Sequence, residues 1–400
     1  MSHVPQMPIP AINPDRTMPE EDYPEASLAN WREHPFNIRG FQTVDRLIAH
    51  QPIESSASAT PLPRGMTLDL ADVMVDEQTA SSVLRQSHTD GFMVLHHGAV
   101  VVEQYGPISS ASSRHIIFSV SKSITGTLAG VLVDRGELEP DAPVSRYVPE
   151  IAGSAYGDAT VRNLLDMTVS VDFTEDYLDP LGEFARYRLA TNWNPPGALA
   201  SEDGLHQFLA TLPKGRDPHG QRFHYVSPNS DLLGWVLERA GKLPICEMLS
   251  RYLWQPMGAE SSGFVTVDRN GTARTAGGIC VTLSDLARFG DMMRQDGKAD
   301  GRQIIPAAWI KDIMTSGDPE AWQKGDMTGL LPEARYRSKW YIPTDRPGTL
   351  CAIGIHGQWI YVDKDAGVTV VKFSSQPLPV DDALDRLTLA TFRAIADALR

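Results

Sequence analysis

Cysteine is scarce in this chain and shows no pairing pattern. Cys246, Cys280 and Cys351 are odd in number, far apart and without a C-x-x-C spacing. That excludes a disulfide framework and a cysteine-rich zinc site, and the three read as reduced, buried thiols. No H-E-x-x-H occurs among the 11 histidines, and the adjacent His96 and His97 would point to opposite faces of a strand. No metal and no cofactor are therefore expected. No apolar run approaches the length of a membrane span. Residues 1–25, MSHVPQMPIPAINPDRTMPEEDYPE, place prolines where a signal peptide needs an unbroken apolar segment. They read as a Pro-rich arm on a cytoplasmic protein. A block of Lys or Arg is also missing, and the net charge is −14, which argues against nucleic-acid and anionic-membrane partners. There is no internal repeat.

What is present is material for a large core. Hydrophobic residues make up 42% of the 400 and charged residues only 22%, so disorder need not be invoked over most of the length. GFMVLHHGAVVVEQYG, from Gly91, reads as a β-hairpin turning at His97-Gly98. FSVSKSITG then leads into a helix with Ile124, Leu128 and Leu132 at helical spacing, ended by Gly136; Gly126 and Gly130 imply close packing. Residues 134–270 look mainly helical through TVRNLLDM, SEDGLHQFLATL, NSDLLGWVLERAG and ICEMLSRYLW, separated by loops such as NWNPPGA. Helices return in SDLARFGDMM and PAAWIKDIM, strands in LCAIGIHGQWIYV and GVTVVKFSS, and a last helix runs from about Asp381 to Leu399. The expected class is α/β. An antiparallel sheet flanked by helices would be built from residues 26–133 and 271–400, with the helical region 134–270 inserted between them.

Ser119 and Lys122 form the only Ser-x-x-Lys in the chain. Ser119 fits an ordinary helix cap. It equally fits a nucleophile, because residues i and i+3 share a helix face and the helix N-terminus favours a developing oxyanion. A serine hydroxyl needs such help, and Lys122 serves as its base only if burial or neighbouring positive charge lowers its pKa. In FHYVSPNSDLLGWVLE, Tyr225 precedes Ser227 and Asn229 ahead of an amphipathic helix; alone, Tyr225 would pass for a core aromatic. Gly354-Ile355-His356-Gly357-Gln358 places two glycines in a β-rich segment, which fits close approach by another backbone or a ligand.

In that order the three motifs resemble the serine β-lactamase and penicillin-recognising superfamily, in its class C and family VIII esterase branch, and within it the 6-aminohexanoate-dimer (nylon-oligomer) hydrolases. YVPEIAGSAYGDATVRNLLDM, VDFTEDYLDP, DLARFGDMM and AIGIHGQ extend the likeness from about residue 90 to the C-terminus. The resemblance implies a β-lactamase-like fold. It makes Ser119 the acylated nucleophile, Lys122 its proton acceptor and Tyr225 the relay to the leaving group and the deacylating water. The backbone N–H groups of Ser119 and Ile355 would form the oxyanion hole. Tyr177 would reach a substrate amide nitrogen, and Trp193, Tyr341 and His356 would line the substrate pocket, although Trp193 and Tyr341 could equally be core.

The sequence also departs from the superfamily pattern. The Lys-Thr-Gly triplet of the lactamases is replaced by Ile353-Gly354-Ile355 or, in a slipped register, by His356-Gly357-Gln358, and Ser227 stands where they have an Asn. Both changes favour esters and linear amides over β-lactams. Arg188 and Ala276 occupy positions where the nylon-oligomer hydrolases use polar residues to assist amides. The expected function is a serine hydrolase acting through an acyl-enzyme on small-molecule carboxylic esters and on linear amides such as 6-aminohexanoate oligomers. A β-lactamase or D-alanyl peptidase, and a non-catalytic binding module on the same fold, are the alternatives. Oligomeric state stays open, a homodimer being the form considered.

Overall fold

A computed structural model describes residues 22–196 and 203–400. The expected Pro-rich arm, except for its last four residues, lies outside the described residues. The central element is a seven-stranded antiparallel sheet. Its strands are β1 (Thr89–His96), β2 (Ala99–Tyr105), β3 (Ala334–Arg337), β4 (Trp340–Pro343), β5 (Thr349–Gly354), β6 (Gln358–Asp363) and β7 (Val368–Ser374), in the spatial order β3-β4-β5-β6-β7-β1-β2. The hairpin β1–β2 turns on two residues, His97 and Gly98, both at positive φ (49° and 85°), the backbone geometry that matches strand twist. β1 is buried from Thr89 through Leu95, so the sheet is covered on both faces.

Four helices fix the site: α1 (Val120–Asp134), α2 (Pro228–Gly241), α3 (Leu283–Arg294) and α4 (Asp382–Ala398). On one face of the sheet α4 sets Phe392 against Phe92, Trp359 and Tyr361. On the other, α3 comes so near that a Cβ at Gly290 would press on Thr369 and Ile360. α1 is buried at every residue from Val120 to Leu132, the mark of a helix enclosed on all sides. Its two glycines allow this, because a Cβ at Gly126 would strike the Ser338 carbonyl and one at Gly130 the Trp309 ring.

Between α1 and α3 the chain is rich in helix. Val161–Leu165 starts with a Thr160/Asn163 capping box, Glu183–Ala190, Leu205–Ala210 and α2 follow, and Ile245–Leu249 runs into a π-helical turn at Ser250–Trp254. A second sheet, not foreseen from sequence, joins His50–Ile53, Gly263–Thr266, Ile279–Val281 and His115–Ile116. One of its strands comes from within the stretch read as helical, so a boundary at residue 270 cuts through this sheet. Cys246, Cys280 and Cys351 are buried and free. No helix of the described residues is long and apolar enough to cross a membrane.

Candidate active site

The short strand His115–Ile116 delivers the chain to the start of α1 through Phe118, whose φ is +41°. A bulky side chain in that region is strained by about 1–3 kcal/mol and persists only where its surroundings enforce it. Here the ring is packed among Trp31, Phe41, Trp193 and His356. The next residue, Ser119, sits at the helix N-cap but makes no side-chain capping bond. Its Oγ instead lies 2.7 Å from Lys122 Nζ, the i, i+3 approach that the Ser-x-x-Lys spacing permits.

Lys122 is buried, donates to the Ala276 carbonyl at 2.8 Å and lies 5.0 Å from the centre of the Tyr225 ring. Burial pushes its pKa down to about 7; Arg274 adds to the lowering, while Glu175 and Asp231 oppose it. A second buried lysine, Lys339, is held well below the ordinary lysine range by burial and then by Lys122. The segment that carries Ala276 is anchored from behind. Ala276 N–H donates to Asp231 at 2.7 Å, and Asp231 is paired with Arg274, which also donates to Tyr187.

Across the cavity, Tyr225 shares the space with Ser119 and Tyr341, and burial, then Glu175, raises its pKa. It therefore stays a phenol, able to pass a proton but not to act as a standing anion. The cavity measures about 230 Å³ and is lined by Ser119, Glu175, Tyr177, Tyr225, Tyr341, Ile353, Gly354 and Ile355 among others. β5 reaches it because its last residue is glycine. A Cβ at Gly354 would come within 2.7 Å of the Ile117 carbonyl and 3.1 Å of the Ser119 nitrogen. Among the described residues, neither Ser119 nor Ile355 donates its backbone N–H to a backbone carbonyl, so both donors are available to an oxyanion.

Glu175 was missed from sequence. It accepts the Tyr177 hydroxyl at 2.6 Å, the Ser227 hydroxyl at 2.7 Å and the Ser227 N–H. Its signal was its place two residues before Tyr177 in VDFTEDYLDP. Since the Tyr177 proton goes to Glu175, the phenolic oxygen faces a ligand as an acceptor. Two residues expected in the substrate pocket do not line the cavity that holds Ser119. Trp193 is buried behind Phe118, with Nε1 donating to Thr266 at 3.1 Å, because the aromatic cluster claims its ring. His356 is buried against Phe41 and Phe118, 2.7 Å from the Gln376 carbonyl through Nδ1, and lines a neighbouring cavity. Burial pushes its pKa down to about 3. Among the described residues no group of three or more His, Cys, Asp or Glu is arranged to hold a metal ion.

A serine within reach of a buried lysine of lowered pKa, with a phenol and two backbone N–H groups lining the same cavity, is an arrangement suited to acyl transfer. Comparison with known proteins agrees in class. The Beta-lactamase family model matches residues 76–394. The 6-aminohexanoate-dimer hydrolase of Paenarthrobacter ureafaciens is 35% identical over 356 residues, covering 89% of this chain and 89% of that one. Among solved structures, a Bacillus anthracis protein assigned as a 6-aminohexanoate-dimer hydrolase superposes with a TM-score of 0.85 at 23% identity, over 96% of this chain and 98% of the other. A family VIII carboxylesterase does so with a TM-score of 0.60 at 16% identity, over 83% and 99%. Those two structures speak to fold alone, but the family match and the 35% identity reach across most of the sequence: the chain belongs to the β-lactamase family of serine hydrolases.

Proposed function

We propose that the protein hydrolyses carboxylic esters through an acyl-enzyme on Ser119, with linear amides of the 6-aminohexanoate-oligomer type as a second substrate class. The observation that carries this reading is the 2.7 Å contact between Ser119 Oγ and a buried Lys122 whose pKa is pushed down to about 7. In its neutral form Lys122 takes the Ser119 proton as Oγ bonds to the substrate carbonyl carbon. The oxyanion is received by the N–H groups of Ser119 and Ile355. Tyr225 passes the proton from Lys122 to the leaving oxygen or nitrogen as its bond to carbon breaks. Water then attacks the acyl carbon, giving up a proton by the same route, and the carboxylic acid leaves with Ser119 restored.

Absence of the Lys-Thr-Gly triplet removes the expected partner of a β-lactam carboxylate and supports esters over β-lactams. The test is hydrolysis of short-chain p-nitrophenyl esters beside the chromogenic cephalosporin nitrocefin. Turnover of the esters, abolished in Ser119→Ala and far exceeding that of nitrocefin, is expected. Nitrocefin turnover equal to or above that of the esters would assign a β-lactamase instead, and no hydrolysis of either would leave a binding module on this fold.

A further inference from the structure

Tyr177 lines two cavities. One holds Ser119; the other, of about 540 Å³, is lined also by Arg32, Arg188, Asn194 and His356. The two adjoin again at the turn after β5, where Ile355 belongs to the first and His356 to the second. Two arginines on one wall ordinarily have carboxylates to meet. Buried or partly buried arginines elsewhere in the chain do: Arg274 has Asp231, Arg337 has Asp166 and Asp312, Arg346 has Asp363 and Asp397. Arg32 instead spends its donors on neutral acceptors, the Trp193 carbonyl at 2.7 Å and Asn194 Oδ1 at 2.5 Å. Among the described residues, no side chain within 4 Å makes an ion pair with Arg32 or Arg188.

Both guanidinium groups are held in place by aromatic faces, Arg32 over Trp31 at 4.9 Å and Arg188 over Phe184 at 4.6 Å. Such a stacked, oriented pair presents its N–H edges to a ligand at little further entropic cost. The charges also feel each other. Burial first, and then Arg188, lowers Arg32 to about 9, which leaves both arginines charged at neutral pH. Two carboxylates share the rim, Glu33 and Asp179, but both are exposed, and Asp179 is turned to the Leu181 N–H at 2.9 Å. Glu175 and Asp176 also act on Arg188 without reaching ion-pair distance, so the recess, opening beside the nucleophile in a chain of net charge −14, holds two arginines that no described carboxylate pairs.

We infer that this second cavity binds a carboxylate carried by the substrate, with Arg32 and Arg188 as its ligands, so that the preferred esters or amides are linear molecules ending in a carboxylate. A carboxylate matches the planar donor edge of a guanidinium. Tyr177 stands at the junction, where the chain joining the reacting carbonyl to the anionic end would pass. This inference rests on the acyl-enzyme reading above, and the experiment separates the two.

Wild-type protein is assayed with two series: p-nitrophenyl hemiesters of dicarboxylic acids of five to eight carbons, and butyrate esters of ω-hydroxy acids. Each is paired with its uncharged methyl-ester counterpart. The ratio of kcat/KM for the anionic to the neutral member is expected to reach roughly tenfold or more in at least one series, as for a charge-assisted contact. Separately, Arg188→Gln and Arg32→Gln should each pull that ratio towards one, and Arg188→Glu should bring it below one. Two independent variants guard against misfolding at either position. Neutral esters hydrolysed with no anionic preference in either series, or a preference that survives both Gln variants, would overturn the anion site. Hydrolysis of no ester at all would instead remove the acyl-transfer reading beneath it.

Discussion

A primary amine beside a serine must lose its own proton before it can take another. With Lys122 pushed down to about 7 by burial, kcat/KM for a p-nitrophenyl ester should rise with pH through an inflection near 7 and level off above it. Below that point the amine is protonated and the base is lost. Lys122→Met keeps the length and apolar stem and should slow acylation by about 10²–10⁴-fold, the range of a positioned general base. A flat profile from pH 5.5 to 9, or a variant acylated as fast as the parent, would remove Lys122 from this role. Tyr177 poses a narrower question, because its proton is held by Glu175 at 2.6 Å. Its oxygen can accept from an amide N–H, which an ester lacks. Tyr177→Phe should therefore cost an amide such as 6-aminohexanoate dimer roughly fivefold, about 1 kcal/mol, and an ester less; equal losses on both would make it scaffold. Ser119, Lys122 and Tyr225 stood out in sequence because each belongs to a short motif. Glu175 did not, being one carboxylate among 50 acidic residues, with its partner Ser227 fixed only by the fold.

At the scale of elements, the end of β5 matters most, since its final residue lets Ile355 approach the head of α1. Gly354→Ala would drive a methyl group to within 2.7 Å of the Ile117 carbonyl and 3.1 Å of the Ser119 nitrogen. Displacing the strand misplaces one oxyanion donor, so kcat should fall by about 10²–10³. The folded content seen by circular dichroism should be retained, and unchanged kcat in the folded variant would mean that the strand does not supply the donor. Helices and long strands were legible because their apolar periodicity repeats over several turns or pleats, as in α1, α3 and the β1–β2 hairpin. The second sheet was not. His115–Ile116 and Ile279–Val281 are only two and three residues long, too short for alternation to register, and His50–Ile53 finds its partner more than 200 residues away.

Taken as a whole molecule, the chain builds its main sheet from residues 89–105 and 334–374, so the head of α1 and the end of β5 meet only when both portions are in place. Long-range closure of this kind decides where side chains end up. It carries Trp193 into the aromatic cluster behind Phe118 and His356 into the neighbouring recess. Sequence spacing contains no information about either placement. The same closure gathers Lys122, Ala276, Asp231 and Arg274 behind Ser119, surroundings that ordinary helix capping does not require. Whether Ser119 is the residue that becomes acylated is tested most directly by mass spectrometry of the intact protein after treatment with a fluorophosphonate, followed by peptide mapping. A single adduct on the peptide containing Ser119, absent from folded Ser119→Ala, is predicted; no adduct on the wild type, or an adduct that persists in Ser119→Ala, would contradict the assignment.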